Sequence, residues 1–302
     1  MATGRFAPSP TGALHVGNLR TALVAWLFAR SAGSAFVVRM EDLDPVVSRR
    51  EHEARQLADL AAVGLDWDSA VLRQSERGAI YDEAIAELEH RGLVYACYCS
   101  RREIRESATA PNDPDQPEGA YPGTCRELTI NERLERERAG RRAALRLRAG
   151  GAEVTVVDRL VGPITAAVDD LVLRRNDGVP AYNLAVVVDD AVQGIEQVVR
   201  ADDLLTSTPR QVHLARVLGL TPPTYAHVPL AVGADGARLA KRHGAITLAD
   251  RAALGETPAV VCGWLAASLG LAKRGEAVEP RSLLDRFDPD RLPRVPWVVE
   301  FE

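Results

Sequence analysis

The 302-residue sequence predicts an α/β fold on a parallel sheet, interrupted by a module of different construction, and three observations carry that expectation. Residues 1–92 alternate short apolar runs with helical stripes. From 93 to 175 that alternation breaks into clustered cysteines, a proline-rich loop and a charge-dense helix. From 176 to 221 the alternation returns, and a mainly helical segment follows to 302.

Each element follows from its own pattern. Arg5-Phe6-Ala7 closes a first short strand. Leu19, Ala22, Leu23, Trp26 and Leu27 recur at the spacing of an amphipathic helix, and 34–40 (SAFVVRM) form a buried strand. Strand, loop, helix and strand in that order imply parallel pairing through a crossover. Residues 53–63 and 80–91 continue as helices, stopped by Gly64 and Gly92. In the second stretch Cys97 and Cys99 precede the loop PNDPDQPEGAYPGTC, a helix over 131–140 and strands near 144–148 and 154–157. Residues 182–190 (YNLAVVVDD) predict a strand, 209–218 a helix, and 257–269 the clearest helix of the tail.

Composition bounds the function classes. With 46% hydrophobic, 26% charged and 5% aromatic residues, the chain has apolar material for a core, which excludes disorder, collagen and coiled coil. At roughly 100–200 residues per domain, the length suggests two domains. Apolar stretches such as 182–188 and 259–267 stop short of the roughly 20 residues that cross a bilayer. Residues 1–5 show no secretory pattern, so a cytoplasmic chain without a membrane partner is expected. The net charge of −5 gives no global basic field, and RNA contact must rely on local patches.

The segment RFAPSPTGALHVGN (Arg5 to Asn18) joins the first strand to the first helix, where an open α/β sheet collects ligands and a helix N-terminus offers N–H groups to anions. A triphosphate is expected there, with His15 donating to phosphate oxygens and Gly17 letting the ligand approach the backbone. Neither the dinucleotide fingerprint nor the P-loop occurs. HVGN taken alone is only a turn, and RLAKR (238–242) taken alone is a solvated basic patch. Yet of 37 basic residues only Lys241 and Lys273 are lysine, so Lys241 marks a need for a compact ammonium rather than a guanidinium fork. Cys97, Cys99 and Cys125 offer three thiolates suited to zinc, although spacing alone fits reduced structural thiols equally well. Cys262 lies in an apolar helix and belongs to the core. Glu41, Asp42 and Asp44 follow a strand, where acids commonly face solvent.

Taken together, RFAPSPTGALHVGN and RLAKR resemble the two signature segments of class I aminoacyl-tRNA synthetases. The ordered set APSPTG, RMEDLD, YNLAVVVDD and LAKRHG is similar to the glutamyl-tRNA synthetases over about 4–271. HVGN stands for HIGH, and Arg238 and Ala240 stand where the second segment commonly has Lys and Ser. The resemblance implies a Rossmann-like (HUP-type) parallel sheet with halves at 1–92 and 176–221, a zinc-containing insertion at 93–175, and a short, mainly helical stem-contact-like domain at 222–302. It implies that ATP, a substrate accompanied by Mg2+, is bound by His15, Gly17, Asn18 and Lys241, with His15 and Lys241 catalytic. It implies L-glutamate binding by Arg5, Phe6, Ala7, Pro8, Ser9, Glu41, Tyr182 and Arg200. In that pocket Glu41 pairs with the ammonium, and Arg5 and Arg200 read carboxylates. Similarity to the short paralogues of these enzymes nominates Cys97, Cys99, Tyr121 and Cys125 as ligands of one structural Zn2+.

Full-length glutamyl-tRNA synthetases carry a helical anticodon-reading domain beyond LAKRHG, whereas this chain runs about 60 residues past Arg242. The expectation is therefore a monomer with no anticodon-binding domain, similar to truncated paralogues that transfer glutamate to queuosine in the anticodon loop of tRNA(Asp). Alternatives are a minimal enzyme charging the 3′ end of tRNA(Glu), another adenylate-forming enzyme on this fold, and an inactive RNA-binding module. Intact His15, Glu41 and Lys241 weigh against the last.

Overall fold

The computed structural model describes residues 3–108, 120–239, 244 and 246–300. β1 (Gly4–Phe6) runs parallel to β2 (Phe36–Met40), with Gly4 opposite Phe36, and α1 (Val16–Ser31) connects them. After α2 (Arg50–Ala62), the short β3 (Leu72–Arg73) pairs parallel with β2, and α3 (Gly78–His90) follows. Gly64 and Gly92 end α2 and α3 at φ of +83° and +70°, the left-handed conformation that glycine adopts without strain.

The middle of the chain holds β4 (Val94–Cys97), α4 (Arg101–Ala108), α5 (Ile130–Arg138), β5 (Ala144–Leu147), β6 (Glu153–Asp158), β7 (Gly162–Ala167) and β8 (Val172–Arg174). Its strands divide between two sheets. β4, β5 and β8 form a separate antiparallel sheet beside the cysteines. β6 and β7 form a hairpin that joins the main sheet, so 153–167 are continuous with it.

The chain then forms α6 (Tyr182–Val192), β9 (Gln197–Ala201), α7 (Thr208–Val217) and β10 (Thr224–Val228). The main sheet has the order β3-β2-β1-β9-β10-β6-β7, and each neighbouring pair is parallel except β6–β7. β11 (Ala231–Val232), α8 (Leu248–Ala253) and α9 (Pro258–Ala267) lead to β12 (Trp297–Val298), which returns to pair with β11. Among the described residues no helix is long and apolar enough to cross a membrane.

Two sequence expectations need correction. Residues 182–190 form a helix rather than a strand. The helix begins just after Pro180, and Leu184, Ala185, Val187 and Val188 are buried in a core shared with α3 and α7. Burying each Val or Leu is worth about 1.5–3 kcal/mol, more than the roughly 0.7 kcal/mol that a β-branched residue concedes in a helix. Nor is α1 amphipathic. It is buried on almost every side from Val16 to Ala29, because α9 and residues 280–286 cover it as well as the sheet. Arg20 is buried in that packing, donating to Ser268 Oγ at 2.9 Å and the Pro229 carbonyl at 2.8 Å.

Candidate active site

Loops at the carboxyl ends of β1 and β9 diverge, because the sheet order reverses direction between those two strands. Ligand crevices of open α/β sheets form at such points. Here the crevice is a cavity of about 500 Å3. Arg5 to Ser9 line it from the β1 side and Arg200 from the β9 side. Glu41 after β2, Tyr182 at the start of α6, and His15 and Asn18 around the start of α1 complete it. Residues drawn from four distant parts of the sequence thus meet in one place. Lys241 lies outside the described residues, as do Ala240, Arg242 and His243.

His15 is the N-cap of α1. The Asn18 backbone N–H donates to its Nδ1 at 3.2 Å, and the His15 N–H donates to Asn18 Oδ1 at 3.1 Å. Burial, and then the nearby Arg238, lower the pKa of the ring to about 4. A neutral ring whose Nδ1 accepts carries its proton on Nε2, so it presents a donor. Gly17 is absent from the cavity lining. A Cβ there would stand 2.9 Å from the His15 ring and 2.9 Å from Ala231 Cβ, so its bare backbone makes room for the ring. The α1 N-terminus is also less open to anions than expected, since the Val16 N–H already donates to Ile246 O at 2.8 Å.

The end of the cavity lined by Arg5 and Glu41 rests on a buried charge network. Arg39, fully buried in β2, donates to Asp190 Oδ1 at 2.7 Å and to Gln193 at 2.9 Å, and lies 3.4 Å from Glu41 Oε1. Arg5 Nε is 3.5 Å from the same Asp190 carboxylate, and its Nη1 donates to Val199 O at 3.3 Å. Burial alone would raise Asp190, yet Arg39, Arg5 and Arg200 hold it below the usual carboxylate range. Glu41 is raised by burial despite Arg39 and Arg5, a bias that a ligand ammonium would relieve. Beneath them Asp189 accepts from Arg77 Nε at 2.6 Å, Tyr81 Oη at 2.8 Å and Gln74 Nε2 at 2.9 Å. Sequence reasoning did not single out Arg39, Asp189 or Asp190. The available signal was an acidic pair closing an apolar run.

Arg200 lies within β9, near its end. It donates from Nε to His227 Nε2 at 3.0 Å and from Nη2 to Thr208 Oγ1 at 3.0 Å. Its Nη1 is buried without a protein partner among the described residues. At the rim Arg238 pairs with Asp203 at 2.9 Å, both residues lining the cavity.

A second cluster lies at the end of β4. The Sγ atoms of Cys97, Cys99 and Cys125 all stand within 4.8 Å of one another. Tyr121 Oη accepts from Cys97 Sγ at 3.3 Å and from the Cys125 N–H at 2.8 Å, and lies 3.9 Å from Cys99 Sγ. Three soft donors and a phenol oxygen converging in a buried place fit a four-coordinate thiophilic cation. Burial pushes the Cys99 thiol up to about 12, and a bound divalent cation would reverse that direction. Cys262 is buried in the core on α9.

The model of class I tRNA synthetases of the E and Q type, catalytic domain, matches residues 1–275. The chain belongs to this family. It is an aminoacyl-tRNA-forming ligase of class I. A protein of Nocardia farcinica named glutamyl-Q tRNA(Asp) synthetase is 59% identical over 98% of this chain and 92% of its own length. One of the same name from Symbiobacterium thermophilum is 48% identical over 100% of this chain and 97% of its own. A solved glutamate tRNA ligase from Elizabethkingia meningosepticum, in complex with its amino acid, matches at a TM-score of 0.82 and 26% identity. That match covers 98% of this chain and 66% of the solved one. The cavity thus sets the cationic Arg5 and Arg200 and the carboxyl group of Glu41 beside the neutral donor of His15.

Proposed function

We propose that this synthetase activates L-glutamate with ATP and transfers the glutamyl group to queuosine in the anticodon loop of tRNA(Asp). One observation carries the activation step: a single cavity sets Arg5 and Arg200 against Glu41, beside a His15 ring whose free function is a donor. The names of the Nocardia and Symbiobacterium relatives support the acceptor.

In the first step a glutamate carboxylate oxygen bonds to the α-phosphorus of ATP as the bond to pyrophosphate breaks. In the second, a queuosine hydroxyl oxygen attacks the activated carbonyl and AMP leaves with the bonding electrons. Catalysis is positioning and charge stabilisation. Arg5, Phe6, Ala7, Pro8, Ser9, Glu41, Tyr182 and Arg200 hold glutamate, the arginines on its carboxylates and Glu41 on its ammonium. His15 and Lys241 stabilise phosphate charge, Gly17 and Asn18 shape the nucleotide end, and Mg2+ travels with the phosphates and water. Cys97, Cys99, Tyr121 and Cys125 hold one structural Zn2+, which would tie β4 to the turn at 121–125. Residues 1–92 and 176–221 act as the halves of a Rossmann-like catalytic domain, 93–175 as the zinc-bearing insertion, whose hairpin at 153–167 extends the catalytic sheet, and 222–302 as a stem-contact-like domain. The enzyme works in the cytoplasm as a monomer, with tRNA(Asp) as its partner.

Glutamate-dependent ATP–pyrophosphate exchange tests activation. Labelled glutamate offered with purified queuosine-containing tRNA(Asp) or tRNA(Glu) tests the acceptor. Label on tRNA(Asp) alone is expected; label on tRNA(Glu) alone rejects the proposed acceptor, and exchange with another amino acid but not glutamate rejects the activation step. Metal analysis is expected to find one zinc per chain, lost with Cys125→Ser.

A further inference from the structure

Arg200 is held by a row of side chains that crosses three strands. In the parallel register of β9 and β10, Arg200 stands opposite His227, and β6 brings Asp158 to the other side of His227. Asp158 Oδ1 accepts backbone N–H groups of Leu160 and Val161 at 2.9 Å each and of His227 at 3.2 Å, and Oδ2 lies 2.6 Å from His227 Nδ1. With a carboxylate on one side, the His227 proton sits on Nδ1. The Nε2 lone pair is then free to accept from Arg200 Nε at 3.0 Å. Thr208 Oγ1 and the Leu204 carbonyl occupy Nη2 at 3.0 and 3.4 Å, and the guanidinium lies 5.3 Å over the Tyr225 ring. Among the described residues only Nη1 of this guanidinium is left buried without a partner, on a residue that lines the cavity. His227 and Asp158 are fully or almost fully buried and do not line it.

We propose that the Asp158–His227 couple is a positioning device for the substrate carboxylate: it fixes the tautomer of His227 so that the ring acts as an acceptor, and thereby aims Arg200 Nη1 into the cavity. The inference rests on the reading of Arg200 as a carboxylate-binding residue. A guanidinium turned by fixed acceptors loses little rotational freedom when a carboxylate arrives. Its unpaired buried N–H gains a partner at the same moment. Reversing the His227 tautomer would set one N–H against another and release the fork.

Glutamate-dependent pyrophosphate exchange by the full chain, with KM for glutamate and for ATP measured separately, tests the couple alongside thermal unfolding. The amide of His227→Asn reaches only the Nδ1 position, so Asp158 keeps a donor and Arg200 loses its acceptor. KM for glutamate is expected to rise about 10- to 100-fold, with KM for ATP within about twofold. His227→Gln places a carbonyl near the Nε2 position and should restore most of that loss. In Asp158→Asn the three backbone N–H groups retain the amide oxygen, so its NH2 faces Nδ1 and drives the His227 proton to Nε2; KM for glutamate should rise as in His227→Asn. Arg200→Lys separates the two layers. An unchanged KM for glutamate in Arg200→Lys refutes the role of Arg200 itself. A raised KM in Arg200→Lys with unchanged KM in both His227→Asn and Asp158→Asn overturns the couple alone. A lower melting temperature with both KM values moving together, or no rescue by His227→Gln, also overturns it in favour of a purely structural role.

Discussion

His15, half-buried, and Arg39, fully buried, stand beside the same cavity, and desolvation has opposite results for them. Among the described residues no acid acts on His15; desolvation, and then the charge of Arg238, lower its pKa to about 4. For Arg39 burial alone would also disfavour the charge, but Asp190, Glu41 and Asp189 more than reverse it and raise its pKa. Partners, rather than depth, decide whether a buried group stays charged. The cavity therefore has one end with a neutral donor and another where charges are locked in place. The first suits the spread charge of a triphosphate, and the second suits an amino acid of fixed shape.

Removing the shared acid should break this contrast most severely. Asp190→Asn leaves Arg39 and Arg5 facing a neutral amide. It is expected to cost about 3–5 kcal/mol in urea unfolding and to abolish exchange; an unchanged unfolding midpoint would show that the arginines do not depend on Asp190. His15→Asn keeps an N-cap acceptor but deletes the Nε2 donor. The turnover of exchange should fall about 10²- to 10³-fold with little change in melting temperature, whereas a loss of stability without loss of turnover would reduce His15 to a cap.

The acid limb of the stability profile sharpens the comparison further. The pKa of His15 in the folded chain, about 4, lies below its ordinary 6.5. Between those values the unfolded chain binds a proton that the folded one refuses. The His15 contribution is therefore complete above about pH 6.5 and is lost as pH falls toward 4. His15→Asn should flatten that part of the profile, and an unaltered slope would show the ring to be exposed. The smallest effect belongs to the rim, where the Arg238 side chain is 69% exposed in its pair with Asp203. Arg238→Ala should change unfolding free energy by less than about 1 kcal/mol, and a larger loss in calorimetry would mean that the rim is locked like the floor.

The parts of the site legible from sequence are those that follow a strand end directly. Arg5 to Ser9, His15 and Glu41 sit in or beside short loops whose position follows from local strand and helix patterns, and they meet in one cavity. The substrate roles of Arg5 to Ser9 and Glu41, like those of Tyr182 and Arg200, come from resemblance, and the local structure that begins at Tyr182 is a helix where the sequence predicts a strand. A run with three consecutive valines predicts a strand until α3 and α7 supply apolar surface for a helix. Arg39 looked like part of an ordinary buried strand, because nothing nearby announces that its counter-ion is 151 positions away.

By itself the sequence determined the alternation of strand and helix over 1–92, the helix stops at Gly64 and Gly92, the loop that opens the cavity and the spacing of the clustered cysteines. All of these depend on interactions between near neighbours in the chain. Only the tertiary structure decided which charges survive burial and which way Arg200 points. Asp190 meets Arg39, and Asp158 meets His227, through sheet register and helix docking. Those pairings exist only when segments more than 60 residues apart are held in place by the whole core.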